Sequence, residues 1–380
     1  MTYPRRKNKN YIPAHFRERI QVAKDNKLKE LDLSNNFSSR DYNRLTEIPT
    51  TVWDLEQLES LILIGNQLKI SRLITKLASL TYLNLSENQL ISLPESITQL
   101  TNLTALYLGG NQLTNLPKSI TKLTNLAELY LGGNQLTSIS ESVTQLTNLS
   151  ELYLGNNQLT YLPESIGEFT NLTILDLGSN QLETLPESIG KLTNLTHLDL
   201  KGNQLTTLPE SIGKLTNLNH LDLKGNQLTT LPESIGKFTN LNHLDLKGNQ
   251  LTTLPESIGK LTNLTHINLG FNNIKNLPKS ITKLTNLNHL NLRGNPLETP
   301  PIEIAEKGIK AIREFFRQEE EEGTDYLYEA KLLIIGEGGA GKTTLANKIQ
   351  NPDYQLQDED STKGIEVYQW NSPTTNQHNF

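Results

Sequence analysis

The residues best equipped for chemistry lie near the C-terminus. Gly336-Glu337-Gly338-Gly339-Ala340-Gly341-Lys342-Thr343 fits the pattern GxxxxGK[ST], with Thr344 directly after it. A phosphate chain needs a loop whose backbone N–H groups converge on it. Glycines at 336, 338, 339 and 341 allow the unusual backbone angles and the close approach. Lys342 would reach the β- and γ-phosphates, and the Thr343 hydroxyl would bind Mg²⁺. The flanking elements suit that task. Lys331–Ile335 reads KLLII, a buried strand, and the residues after Thr344 read as a helix ending near Pro352. That helix would bring its positive end and free N–H groups to the loop. The rival reading, a chance glycine-rich turn, does not account for the apolar strand directly ahead of it.

Most of the chain before this loop is periodic. Leu192–Lys214 reads LTNLTHLDLKGNQLTTLPESIGK and returns almost unchanged as Leu215–Lys237 and Phe238–Lys260, with looser copies on both sides. Within a unit, Leu198 and Leu200 stand two apart and share one face of a short strand. One unit cannot bury its leucines alone, so stacked units build a parallel sheet over a continuous leucine core. Asn203 falls where the chain leaves the strand, and an amide that both donates and accepts can satisfy buried turns in adjacent coils. Pro209 holds Leu208 extended and opens a short helical turn. The marker asparagines are Asn36, Asn66, Asn88, Asn111, Asn134, Asn157, Asn180, Asn203, Asn226, Asn249, Asn272 and Asn295, at steps of 23 residues from Asn88 onward. The first step is 30, which places seven inserted residues around Phe37–Asn43; the second is 22, and its unit lacks the Leu-Pro pair.

Strand residues between the leucines face the concave surface, where repeat proteins bind partners. Tyr107, Tyr130 and Tyr153 form one column there, with Glu128 and Glu151 beside the last two; they are the candidate protein-binding patch, since Tyr is enriched at interfaces. Farther along, His197, His220, His243, His266 and His289 form a column, followed by an Asp column (Asp199, Asp222, Asp245) and a Lys column (Lys201, Lys224, Lys247). A stacked histidine column invites a metal or pH-sensing role, and adjacent imidazoles would resist joint protonation. Duplication of one repeat with its histidine explains the same column without any such role.

Composition narrows the alternatives. The chain has 380 residues, a net charge of −6 and only 35% hydrophobic residues, which a solenoid with one leucine column tolerates. There is no cysteine, which excludes disulfides and thiolate chemistry and favours a reducing, cytoplasmic setting. No long apolar run is present, so no membrane span is expected, and the N-terminal stretch lacks the apolar core of a secretory signal. The acidic balance argues against nucleic acid as a partner. Residues 1–27 are basic and read as a solvated tail and first cap. Ile302–Arg317 reads as one amphipathic helix, with Ala305, Ile309, Ile312 and Phe316 on a shared face, covering the last coil; Glu319–Gly323 reads as an acidic hinge.

The LxxLxLxxN units resemble leucine-rich repeats over about three quarters of the chain. The order of repeats, helix and phosphate loop is the reverse of NOD-like receptors. Together with Ser361-Thr362-Lys363-Gly364-Ile365 and the alternating run to Trp370, it resembles the Roco family, in which a Ras-like GTPase domain called Roc comes after the repeats. That resemblance implies GTP/GDP and Mg²⁺ as ligands, with the phosphate loop at Gly336–Thr344. It makes Thr362 the switch threonine that, with Thr343, senses Mg²⁺ and the γ-phosphate; the rival for Thr362 is an ordinary loop hydroxyl. It also implies a homodimer in the complete protein. The Asp-x-x-Gly and guanine-recognition elements of such a domain do not occur before Phe380, so the chain reads as a C-terminally truncated member.

The expected fold is therefore α/β: a solenoid of about 12 leucine-rich repeats over 28–301, a capping helix and hinge over 302–323, and the incomplete front of a P-loop GTPase domain over 324–380. The expected function is a GTP-dependent signalling switch with the repeats as its protein-interaction surface. This chain alone is expected to bind nucleotide weakly or not at all and not to hydrolyse it. The rivals are a repeat adaptor with a vestigial loop and an ATPase of another P-loop class.

Overall fold

The computed structural model describes residues 12–35 and 44–322. The chain divides into two units, Met1–Glu321 and Glu322–Phe380, and the repeat array belongs to the first. The seven-residue insertion, Asn36, the loop Gly336–Thr344 and Thr362 lie outside the described residues.

Twelve three-residue strands, from β1 (Glu30–Asp32) to β12 (His289–Asn291), form one parallel sheet whose spatial order is the order of the sequence. Register is kept coil to coil, so that Leu198, Leu221 and Leu244 are direct neighbours. The middle residue of each strand points into the core and its two flanking residues point away from it, as the two-residue alternation requires. Beyond the first coil the leucines of the repeat are buried, apart from Leu116, Leu290 and Leu297, which are partly so. Phe169 and Phe238, which replace a leucine at equivalent points of two coils, are fully buried as well.

The asparagine ladder closes the turns. Asn226 Nδ2 donates to the carbonyls of Leu200 (2.9 Å) and Leu223 (3.0 Å), while its Oδ1 accepts the Leu205 N–H at 3.0 Å. The same pattern starts at Asn66, which accepts from Leu45 and donates to Leu33 across the insertion. Each amide thus ties its own turn to the preceding coil.

The return side of each coil is a five-residue 3₁₀ turn, usually preceded by proline, such as Glu210–Lys214 after Pro209. In the 22-residue unit, which lacks Leu-Pro, Ser71 takes over: its Oγ accepts the Leu73 N–H at 3.2 Å at the head of Arg72–Lys76. Glycines of these turns lie directly against the next coil. A Cβ built on Gly213 would stand 2.6 Å from Ser234 Cβ and 2.7 Å from the Ser234 carbonyl. The hydroxyls of Ser188, Ser211, Ser234, Ser257 and Ser280 in this seam are buried and make no hydrogen bond among the described residues.

Both ends of the leucine column are covered. Helix α1 (Ala14–Asp25) buries Phe16, Ile20 and Ala23, and Arg19 Nη1 donates to the Asp32 carbonyl at the open sheet edge. At the other end the single helix expected over Ile302–Arg317 is two helices, α2 (Ile302–Ala305) and α3 (Ile309–Glu322). Gly308 separates them at φ +88°, a left-handed conformation that ends a helix and that glycine adopts without strain. Ala305, Ile309, Ile312 and Phe316 are all buried, while Arg313 donates to the carbonyls of Thr282 and Leu284 in the last coil. The acidic run expected to be a hinge is helical as far as Glu322. Arg317 pairs with Glu314 and Glu321 along the helix, and Lys279 reaches Glu319 at 3.2 Å. These pairings offset the repulsion that consecutive glutamates would otherwise feel.

Candidate binding face

The outer sheet face carries one side chain from the first and one from the third position of every strand. Parallel register turns these positions into columns. Tyr107, Tyr130 and Tyr153 are direct neighbours at the third position, and Glu128 and Glu151 are neighbours at the first. The proposed binding residues are thus brought together. The rings of Tyr107 and Tyr130, and of Tyr130 and Tyr153, stack with centroids 4.1 Å apart and nearly parallel planes. Strand spacing sets this distance, so a column of identical rings in register has little choice but to stack. Tyr82, at the first position of its strand, leans across to meet Tyr107 at 5.0 Å and extends the ladder to four rings. Sequence spacing missed it because it belongs to the other column.

The phenols are fixed by carboxylates. Tyr107 Oη donates to Glu128 at 2.5 Å, Tyr130 Oη donates to Glu151 at 2.8 Å, and Tyr153 Oη donates to Glu151 at 3.2 Å. Partial burial, then hydrogen bonding within the ladder, pushes the Tyr107 and Tyr130 phenols well above the ordinary tyrosine range; burial also raises Tyr153. All three stay neutral donors at physiological pH.

Beyond Tyr153 the third column changes to Asp176, Asp199, Asp222 and Asp245. Burial raises the Asp176 and Asp222 carboxyls above the usual carboxylate range. Asp199 is paired with Lys201 of its own coil at 2.6 Å. The five histidines stack as expected, with unequal gaps of 5.8, 4.4, 5.8 and 4.2 Å from His197 to His289. Burial, reinforced by its neighbours His243 and His197, holds His220 below the ordinary imidazole range; burial and its neighbours His289 and His243 lower His266. Among the described residues, no group of three or more His, Cys, Asp or Glu is placed to hold a metal ion. No helix among them is long and apolar enough to cross a membrane.

The family model described as a leucine-rich repeat region matches residues 66–157 and 140–224, and that described as a leucine rich repeat matches 203–251 and 239–297. No curated protein matches the chain. Among solved structures, the leucine-rich repeat ectodomain of the Arabidopsis thaliana membrane receptor kinase GASSHO1/SCHENGEN3, in complex with CASPARIAN STRIP INTEGRITY FACTOR 2, is 32% identical; the match covers 73% of this chain and 37% of that one, with a TM-score of 0.60. The Drosophila Toll–Spätzle complex matches at 26% identity over 71% of this chain and 36% of that one, with a TM-score of 0.61. An internalin from Listeria monocytogenes shares the fold at 22% identity and a TM-score of 0.62, covering 77% and 92% of the two chains. The chain thus spans little more than a third of the first two of these chains.

Proposed function

The chain belongs to the leucine-rich repeat proteins, and from that premise we propose that its concave face binds a protein ligand at the tyrosine ladder. The observation that carries this reading is the stack Tyr107–Tyr130–Tyr153, half-exposed on an open sheet face with its hydroxyls fixed by Glu128 and Glu151. Rigid aromatic side chains give large contact area at small entropic cost. The solved relatives support the reading, since two of them hold a named partner protein or factor. The test is a selection of displayed random dodecapeptides against the full chain. Binders should lose affinity by about tenfold or more for Tyr130→Ala, a hot-spot-sized effect. Binders that are all indifferent to Tyr107→Ala, Tyr130→Ala and Tyr153→Ala would reject the reading.

The phosphate loop supports a second activity. We assign 324–380 to the front of a Roc GTPase domain, in which Gly336–Thr344 hold GTP or GDP and Thr343 and Thr362 contact Mg²⁺. In the complete Roco-type protein this domain would be the switch, in the cytoplasm where these nucleotides abound, and the repeats would supply the partner-binding surface of a homodimer. The complete signature, flanked by stretches whose sequence reads as an apolar strand and a helix, supports this reading. In a chain extended to include the rest of the G domain, Lys342→Ala is expected to lower Mg·GTP affinity about a hundredfold or more, because one charge-assisted phosphate contact is lost. Equilibrium titration with a fluorescent GTP analogue reads this directly. Equal competition by ATP would point to another P-loop class, and no binding by the extended wild type would leave an adaptor with an inert loop.

A further inference from the structure

The aromatic ladder occupies a stretch of the sheet face that differs in charge from the coils beyond it. From Tyr82 to Gly178 no strand-face position carries Lys or Arg, whereas Glu128, Glu151 and Asp176 succeed one another there. None of these three carboxylates makes an ion pair among the described residues. The hydroxyl protons of Tyr107, Tyr130 and Tyr153 are committed to Glu128 and Glu151, so the polar atoms left for a partner are lone pairs. The patch accepts hydrogen bonds and has few to donate.

The same molecule shows what satisfies such a column. Two residues after its aspartate, each coil from Asp199 to Asp245 carries a lysine, and the Lys201 ammonium sits 2.6 Å from Asp199. In the coils of the ladder that position is Gly109, Gly132 or Gly155. A Cβ on Gly155 would stand 2.9 Å from the Asp176 carboxylate oxygens, so this carboxylate leans over a strip with no side chain of its own. Asp176 is left with the Gly178 N–H at 2.9 Å as its hydrogen-bond donor.

We propose that this stretch docks an extended protein segment with closely spaced Lys or Arg side chains, whose cations lie along the strip left bare by Gly109, Gly132 and Gly155. The proposal rests on the concave-face reading above and names the partner's chemistry. The cations take the place that Lys201, Lys224 and Lys247 fill elsewhere in the array. Arginine suits it better than lysine, because a planar fork meets a carboxylate with two bonds and lies against tyrosine edges. Acidic segments and nucleic acid are repelled.

The probe is an acetylated octapeptide of alternating Gly and Arg, titrated calorimetrically into the full chain, with its Gly–Glu counterpart as the comparison. The triple variant Glu128→Gln, Glu151→Gln, Asp176→Asn should bind the arginine peptide about tenfold more weakly, in line with loss of three oriented charge contacts. Glu187→Gln, Glu210→Gln, Glu233→Gln makes the same change of net charge on the 3₁₀ side and should weaken it less than about twofold. Gly132→Lys, which supplies a cation from within, should also weaken binding. Equal losses in the two triple variants, or equal affinity for the Gly–Glu peptide, would overturn the proposal. Displayed peptides that require Tyr130 but lack basic residues and ignore the first triple variant would overturn it while leaving the concave-face reading intact. Failure of every peptide to require the ladder would remove the concave-face reading itself.

Discussion

Replacing Asn226 by Ala is expected to lower the unfolding free energy by about 3–5 kcal/mol. The residue is buried and makes three hydrogen bonds with good geometry. Two of its acceptors keep another partner, because the Leu200 carbonyl also accepts from Asn203 and the Leu223 carbonyl from Asn249. The Leu205 N–H has no such alternative and becomes a buried donor without an acceptor, the costlier half of the loss. Asn226→Asp is expected to be no better, since a carboxylate has no proton for the two carbonyls and is itself costly to bury. The contrast is Asn217→Ala. Asn217 belongs to a second, exposed asparagine column and donates to the Thr193 carbonyl at 2.9 Å. Water can replace that bond, so the loss should stay below about 1 kcal/mol. Urea denaturation monitored by circular dichroism measures both. A loss at Asn226 no larger than at Asn217 would show that the inner ladder does not hold the coils together.

Gly213→Ala should destabilise by about 2–3 kcal/mol, the usual cost of overpacking a closed contact. Its new methyl would meet Ser234 Cβ at 2.6 Å and a backbone carbonyl at 2.7 Å, and the carbonyl cannot rotate away. The coils would have to part along the seam. Gly225→Ala is the informative comparison. There the Cβ finds nothing closer than 3.8 Å, and the penalty arises from φ +66° alone. A left-handed non-glycine residue costs about 1–2 kcal/mol. The two mechanisms separate in a double mutant. Adding Ser234→Gly removes one of the two clashing groups and should return about 1 kcal/mol to Gly213→Ala, whereas it should return nothing to Gly225→Ala. Thermal or urea midpoints of the single and double variants decide the matter, and additivity at Gly213 would refute the seam.

The regular part of the molecule is legible in the sequence because its residues have single physical jobs. Leucines two apart define a strand face, Asn203 and its equivalents both accept and donate at a buried turn, and Pro209 announces the 3₁₀ turn behind it. Columns on the sheet face arise from the 23-residue period. The hidden features depend on contacts between columns or between coils. Tyr82 joins the ladder by leaning out of its own column, which spacing cannot reveal. The Gly–Ser seam is invisible because ESIG within one unit gives no hint that its glycine faces the serine of the next. The C-terminal cap departs from expectation for a local reason. Gly308 lies inside the stretch that reads as one helix, and in the structure it is the break between two. Glu319–Gly323 reads as an acidic hinge, yet Arg317 and Lys279 sustain a helix as far as Glu322.

Coils that are nearly identical and pair in the same register have a further consequence. Between Leu192 and Lys260 the coils present nearly the same surfaces to one another in the same register, so this stretch has no internal means of counting its coils. Their number is fixed by the covalent chain and by the two dissimilar ends alone. The molecule can therefore lengthen or shorten by a whole coil without disturbing any contact type, in steps of roughly 4.8 Å along the sheet. The tyrosine ladder lies outside this stretch and would not change. The interchangeable coils thus act as a ruler that sets how far the ladder stands from the C-terminal cap, adjustable in single gradations.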